Sequence, residues 1–241
     1  RRLWIALAKA EKQLGLDVTQ EQIDELEAHK DDINYDVAEE RERLVRHDVM
    51  SHVYAYGQLC PKAAGIIHLG ATSCYVGDNT DVVILREASR LILKKAGQVL
   101  KNLAAFAEKY KSLPCLGYTH LQPAQLTTVG KRATLWMYEL AQDMENMEYQ
   151  LSRLLLLGSK GTTGTQASFM ELFGGDESKI LEMERLIADE MGFDGVVPVS
   201  GQTYSRKVDG YFLGVLSGFA QSAMKFANDL RILQSFEEME E

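Results

Sequence analysis

The stretch from Cys115 to Arg132 holds the densest set of side chains in the chain that could do chemistry. It combines His120 with two Gln, three Thr and the basic pair Lys131-Arg132. An imidazole can give or take a proton near neutral pH, and Thr127 or Thr128 can cap a following helix. The stretch therefore predicts a proton-transferring histidine held in a turn at a helix N-terminus, with a buried structural histidine as the alternative.

A second cluster, Arg46-His47-Asp48, lies in a segment whose pattern predicts one helix from about Asp36 to Gly57. Neighbouring helical residues point about 100° apart, so these three side chains can face one ligand only at a helix end or a bend. Taken by itself, the triple is also explained as a solvated or interface ion cluster.

His68 to Ser73 reads His-Leu-Gly-Ala-Thr-Ser, in a segment that we expect to be loop-like from Lys62 to Asp81. Small residues and hydroxyls ahead of a helix leave backbone N–H groups available to bind carboxylate or phosphate oxygens. Plain N-capping by Thr72 or Ser73 is the alternative. His68 alone is better explained as a structural histidine.

Two further polar segments occur later in the chain. Lys160 to Gln166 is rich in Gly and Thr, but it lacks the Gly-x-x-x-x-Gly-Lys-Ser/Thr order of a P-loop. It can be an anion-contacting loop or a simple helix connection. Gln202 follows Gly201 where we expect the third long helix to start, and it has the same two interpretations.

Three long segments of helical periodicity must position these clusters. Apolar residues recur every three or four positions over residues 85–106, 126–154 and 208–233. We therefore predict an all-α fold with a small N-terminal helical domain, residues 1–72, and a long-helix bundle, residues 73–241. A second apolar stripe on several of these helices indicates burial against other copies of the chain.

Charge and cysteine content narrow the class of protein. The formal net charge of −9 at pH 7 argues against nucleic-acid binding and requires local cations at any site for an anionic substrate. The three Cys lack the spacing of a disulfide framework or a zinc site, so we expect no metal or other cofactor and a cytoplasmic protein. No apolar run reaches the roughly 20 residues of a membrane helix, so we expect no membrane partner.

Together, these motifs resemble the adenylosuccinate lyases, in particular the animal type, over essentially the whole chain and in order. The segments that carry the resemblance are Arg46-His47-Asp48-Val49, His68-Leu69-Gly70-Ala71-Thr72-Ser73, Asp78-Asn79-Thr80-Asp81, Thr119-His120-Leu121-Gln122-Pro123-Ala124-Gln125, Thr127-Thr128-Val129-Gly130-Lys131-Arg132 and Lys160-Gly161-Thr162-Thr163-Gly164-Thr165. The Thr-His motif alone indicates only the wider superfamily of fumarase, aspartase and argininosuccinate lyase, and the other segments narrow it.

The resemblance implies a fold, an assembly and a reaction. Members of the superfamily share a long-helix bundle that forms the core of a homotetramer, and this chain contains only part of that bundle. The implied reaction is a β-elimination that breaks a C–N bond and releases fumarate. It converts adenylosuccinate to AMP and SAICAR to AICAR in purine nucleotide biosynthesis.

The resemblance also implies roles for individual residues. His120 matches the general acid of the family, and His47 matches its partner histidine. The implied substrate contacts are Arg46, His47, Asp48, Thr72, Ser73 and Gln202, with His68 and Lys131 as near-site residues.

Two parts of the family pattern do not occur in this sequence. The family's base is a Ser in a Gly-Ser-Ser-x-Met-Pro-x-Lys-x-Asn loop, and an Arg-Tyr substrate contact lies near its N-terminus. We therefore expect a chain truncated at both ends and inactive by itself. The alternatives are an argininosuccinate lyase-like enzyme and a non-catalytic helical oligomer of the same superfamily.

Overall fold

Long helices dominate the structure, a computed structural model in which residues 1–240 are described. The elements in chain order are α1 (Arg2–Gln13), α2 (Gln20–Ala28), α3 (Tyr35–Val45), α4 (Asp48–Leu59), α5 (Ser73–Lys109), β1 (Pro114–Thr119), β2 (Gln122–Thr128), α6 (Val129–Leu151), α7 (Ala167–Leu172), α8 (Glu177–Glu190) and α9 (Lys207–Ser235). The three long periodic segments are α5, α6 and α9, and the predicted all-α class is confirmed, with one short β-hairpin added.

The prediction of a single helix from Asp36 to Gly57 is wrong, because the chain bends between α3 and α4. Arg46 takes a left-handed conformation with φ 51°, and its N–H donates to the carbonyl oxygen of Glu42 at 2.7 Å. His47 is extended and is the N-cap of α4. A residue with positive φ commonly ends a helix. The spacing of apolar residues in the sequence does not indicate where such a residue occurs.

The predicted loop from Lys62 to Asp81 is also too long, because α5 already begins at Ser73. Asp and Asn are poor helix formers, which made this segment resemble a loop. In the structure the side chains of Asp78 and Asn79 are buried and make long-range hydrogen bonds, so tertiary contacts offset their low propensity.

Contacts divide the chain into two units. Unit 1 contains Arg1–Ile84 and Leu154–Ser205, and unit 2 contains Leu85–Arg153 and the chain from Arg206 onward. The predicted domain boundary at residues 72 and 73 coincides with the start of α5, and it stays a prediction.

Each unit has its own apolar core. The fully buried side chains of unit 1 include Leu7, Ile23, Leu26, Tyr56, Ile67, Phe169, Ile180, Met183 and Ile187. In unit 2, Ala107, Ala133, Trp136 and Leu233 form the centre, and the indole N–H of Trp136 donates to Asp229 at 2.8 Å. Among residues 1–240, no helix is both long enough and apolar enough to cross a membrane.

Candidate active site

His120 lies at the tip of the hairpin formed by β1 and β2. Thr119 pairs with Gln122, so the connecting loop contains only His120 and Leu121, whose φ angles are 53° and 62°. Two positive φ values are the pattern of a type I′ turn, which normally uses Asn and Gly because other side chains are strained there. Both side chains are exposed. A strained, exposed histidine is a candidate functional residue.

The hairpin is fastened to two other parts of unit 2. The guanidinium of Arg132 on α6 donates through Nη2 to the carbonyl oxygen of Leu116 at 2.8 Å. Tyr118 stacks on Phe236 with ring centroids 4.7 Å apart, and its hydroxyl donates to the carboxylate of Glu238 at 3.4 Å. These contacts hold β1 in place, so His120 sits on a fixed support.

A cavity of about 260 Å³ lies beside the hairpin tip. Its lining residues are Tyr118, His120, Leu121, Arg132, Asp229, Ile232, Leu233 and Phe236. Nη1 of Arg132 is buried without a hydrogen-bond partner among residues 1–240, and Oε2 of Glu238 is 3.8 Å away, an ion-pair distance. The cavity thus brings together an imidazole, which can transfer a proton, and a guanidinium, which can hold an anion.

The start of α6 follows the hairpin directly. Oγ1 of Thr128 accepts the N–H of Lys131 at 3.1 Å, which confirms that Thr128 caps this helix. Lys131 is exposed near the positive end of the helix dipole, where it adds to a local positive field.

The bend between α3 and α4 presents Arg46, His47 and Asp48 together on the surface of unit 1. Nδ1 of His47 accepts the N–H of Met50 at 3.3 Å, so this nitrogen carries no proton and the neutral ring carries its proton on Nε2. Oδ1 of Asp48 lies 3.5 Å from the same Nδ1, and this pair is therefore not a hydrogen-bonded ion pair. Nε2 of His47 is the nitrogen able to donate a proton to a ligand.

His68 is half-buried and has a partner that its sequence neighbours do not reveal. The indole N–H of Trp4 donates to Nδ1 of His68 at 3.0 Å, which places the ring proton on Nε2. Burial lowers the pKa of His68, with a smaller contribution from His47. Burial therefore favours the neutral form of His68, which agrees with its role as hydrogen-bond acceptor at Nδ1.

Thr72 and Ser73 stand at the beginning of α5 and are half-buried. The first turn of a helix has N–H groups without intrahelical acceptors, together with the positive end of the dipole. Gln202 does not start a helix as expected, because α9 begins at Lys207. It lies half-buried in the preceding segment, two residues before Tyr204, whose N–H donates to Oδ2 of Asp78 at 2.9 Å.

Lys160 is a structural residue in this fold. Its Nζ donates to Oε2 of Glu184 at 2.8 Å, and both side chains are buried. The other oxygen of Glu184 accepts the N–H of Ser159 at 3.0 Å. Of the two interpretations of the Lys160 loop, the pairing favours a fixed connection, because the lysine charge is already compensated.

Comparison with known proteins identifies the family to which this chain belongs. A family model described as Lyase matches residues 1–241. The adenylosuccinate lyase of Saccharomyces cerevisiae is 51% identical over 244 residues, which cover 100% of this chain and 51% of the yeast protein. This chain belongs to the lyase family that includes the adenylosuccinate lyases.

Two more comparisons extend this result. The adenylosuccinate lyase of Schistosoma mansoni is 46% identical to this lyase chain over 242 residues, covering 100% of the chain and 50% of the relative. The crystal structure of a fumarate lyase from Mesorhizobium sp. BNC1 superimposes with a TM-score of 0.83 at 25% identity, covering 98% of this chain and 55% of that one. The chain spans about half the length of the curated relatives it matches.

The predicted site residues of this chain fall into the two units. Unit 1 holds Arg46, His47, Asp48, His68, Thr72, Ser73 and Gln202, and unit 2 holds His120 and Lys131. Within unit 1, the hydrogen bond between Asp78 and Tyr204 joins the Gln202 segment to α5. The described residues contain no group of three or more His, Cys, Asp or Glu that could hold a metal ion.

The sequence analysis assigned no role to four residues that have clear structural roles in the two units. They are Trp4, Asp78, Arg132 and Glu184. Arg132 and Asp78 belong to motifs that carry the family resemblance, which is a usable signal. Trp4 and Glu184 act on residues 64 and 24 positions away, and nothing local indicates those contacts.

Proposed function

We propose that the complete protein is an adenylosuccinate lyase that acts on adenylosuccinate and on SAICAR and releases fumarate. The main support for the proposal is the geometry of the hairpin tip in this lyase-family chain. His120 is exposed there in a strained two-residue turn, and Arg132 and Tyr118 fasten the hairpin. This arrangement suits a proton donor that must be both accessible and fixed in position.

In the proposed reaction, a base removes a proton from the succinyl carbon next to a carboxylate. The electron pair of that C–H bond forms the double bond of fumarate, and the C–N bond breaks with its electrons moving to nitrogen. His120 donates a proton to the departing nitrogen. The base is the serine that the family resemblance implies, in a loop that this sequence does not contain.

The remaining side chains bind the substrate. Thr72 and Ser73, with the N–H groups at the start of α5, hold the succinyl carboxylate, because a helix N-terminus favours an anion. His47 assists from the bend through its Nε2–H. Further contacts come from Arg46, Asp48 and Gln202, with His68 and Lys131 supporting the site. The site combines residues of several subunits, as the resemblance implies.

We also propose that the protein is a cytoplasmic homotetramer. Support comes from large apolar side chains that are exposed on the long helices, such as Leu91, Val99, Tyr138, Leu213 and Met224. Surfaces of this kind are typical of regions that another chain covers. Free thiols at Cys60, Cys74 and Cys115 fit a reducing compartment.

The test is an assay of the purified complete protein by ultraviolet absorbance. Adenylosuccinate should yield AMP and fumarate in equal amounts, SAICAR should yield AICAR and fumarate, and argininosuccinate should remain unchanged. Turnover of argininosuccinate alone supports the argininosuccinate lyase alternative. A stable oligomer without turnover of any of the three supports a non-catalytic structural protein. Residues 1–241 alone should be inactive, because the base lies outside them.

A further inference from the structure

Asp78 is a buried carboxylate to which the proposed chemistry assigns no role. It lies on α5, five residues after Ser73, and is 6% exposed. Its Oδ2 accepts the backbone N–H of Tyr204 at 2.9 Å, and Tyr204 is itself 4% exposed. Burying a charged group costs more than burying a neutral one of the same size, so packing alone does not explain an aspartate here.

The hydrogen bond of Asp78 joins two segments that carry proposed substrate contacts. On one side, Asp78 follows Thr72 and Ser73 on the same rigid helix, about 7.5 Å along its axis from Ser73. On the other side, Tyr204 is two residues from Gln202, which is at most about 7 Å of extended chain. A short path that includes the charge-assisted hydrogen bond from Tyr204 to Asp78 therefore connects the two sets of contacts.

The Gln202 segment is also fixed on its other side. Gly164 has φ +81°, and a Cβ atom there would overlap the carbonyl oxygen of Ser200, so the loop after Lys160 packs directly on the backbone beside Gln202. The chain just before that loop is in turn held to α5, because the amide of Asn79 exchanges hydrogen bonds with the backbone of Gly158 at 2.9 and 3.1 Å. Gln202 thus lies between two anchored points, Ser200 and Tyr204.

We propose that Asp78 is a positioning residue, which sets the place of Gln202 relative to Thr72 and Ser73 and thereby the affinity of the site for the substrate. This inference rests on the proposed function. Asp78 itself touches no substrate in this scheme and acts through the Tyr204 N–H. Its loss should weaken binding more than it slows the chemical step, which belongs to other residues.

The test compares Asp78→Asn and Asp78→Ala with wild type in the complete protein, using adenylosuccinate as substrate. Asparagine keeps the shape and a weaker neutral acceptor, so Asp78→Asn should raise KM about tenfold with kcat nearly unchanged, and Asp78→Ala should raise KM further. The matched control is Asp81→Asn, the same change at an exposed position three residues later on α5. It should leave both constants unchanged.

A double variant separates positioning from general support of the fold. If Asp78 acts through Gln202, the KM of Asp78→Asn combined with Gln202→Ala should be no higher than that of Gln202→Ala alone. The proposal is overturned if the two substitutions raise KM by independent factors that multiply in the double variant. It is also overturned if kcat falls while KM is unchanged, because that result indicates fewer folded active sites. An inactive wild-type protein refutes the proposed function instead, so the two failures are distinguishable.

Discussion

At the scale of single residues, His120 and Glu11 both have surroundings that are unusual for their side-chain type. His120 is exposed in a backbone conformation that histidine rarely adopts. Glu11 is 0% exposed in unit 1, and neither carboxylate oxygen has a hydrogen-bond partner among residues 1–240. The exposed His120 suits proton transfer, and the buried Glu11 makes the stability of the fold sensitive to pH.

Replacing His120 should affect the rate and leave the assembly intact. We expect His120→Gln in the complete protein to lower kcat by about 10²–10⁴-fold, the range for removal of one acid–base group. The proposed tetramer should persist, because the imidazole is exposed. His29→Gln is the control, since His29 is partly exposed and pairs with Asp32 outside the proposed site. Dissociation without a specific rate defect would instead support a structural histidine.

Glu11 should make the protein less stable at alkaline pH. Burial raises the pKa of Glu11 to about 8 from an ordinary value of 4.5. The folded protein therefore keeps this proton up to about pH 8, whereas the unfolded chain releases it near pH 4.5. Stability from this group is fully present below pH 4.5, and it is lost as the pH rises towards 8.

The variant Glu11→Gln removes that pH dependence because an amide does not ionise. The difference in urea midpoint between variant and wild type should increase in favour of the variant from pH 5 to pH 9. Glu40→Gln, at an exposed position on α3, should shift the midpoint equally at every pH. A constant difference between Glu11→Gln and wild type contradicts the assignment of a raised pKa to Glu11.

At the scale of elements, each proposed site segment depends on a junction rather than on the middle of a helix. A left-handed residue, Arg46, ends α3 and exposes His47 as the cap of α4. The hairpin places His120 between α5 and α6, where an uninterrupted helix would have hidden it. Helix ends expose unpaired N–H groups and dipole charge, so junctions are where an anion can be bound.

The connection between α6 and α8 depends on the buried pair Lys160 and Glu184. Lys160→Met should destabilise the complete protein by about 3–5 kcal/mol, because it leaves the carboxylate buried without its partner. Adding Glu184→Gln, which keeps an acceptor for the Ser159 N–H, should recover part of that loss. Urea unfolding measures both effects. Arg185→Met, in an exposed ion pair on α8, should have no measurable effect.

At the scale of the whole molecule, the long helices carry several large apolar side chains that are exposed in the single chain. On α9, Leu213 is 64% and Met224 is 69% exposed. They are eleven residues apart, which is close to three helical turns, so they share a face. Burial of this face in a tetramer also agrees with a site that needs residues from several copies.

We expect Leu213→Glu combined with Met224→Glu to dissociate the complete protein into smaller species and to lower activity with it. Sedimentation velocity reports the size, and the fumarate assay reports the activity. Leu181→Glu is the control, since Leu181 is 60% exposed on α8, outside the long helices. An unchanged tetramer in the double variant would show that this face of α9 is not part of the assembly.

The sequence by itself determined the helical frame of this protein. The periods that correspond to α5, α6 and α9 and a threonine cap ahead of α6 were predicted, although the second segment was placed at residues 126–154 and α6 spans Val129–Leu151. The physical reason is that apolar spacing and capping are local: each depends on residues within a few positions of one another. The family was also identified from motifs, because their residue types and order are visible in the chain.

The tertiary structure alone decided how the candidate site is held together. The bend at Arg46 and the turn at His120 depend on single φ angles that no apolar pattern records. The bonds from Tyr204 to Asp78 and from Trp4 to His68 join residues 126 and 64 positions apart. Such contacts form only after the helices have packed. The chain therefore shows which side chains are available for chemistry, and folding determines which of them meet.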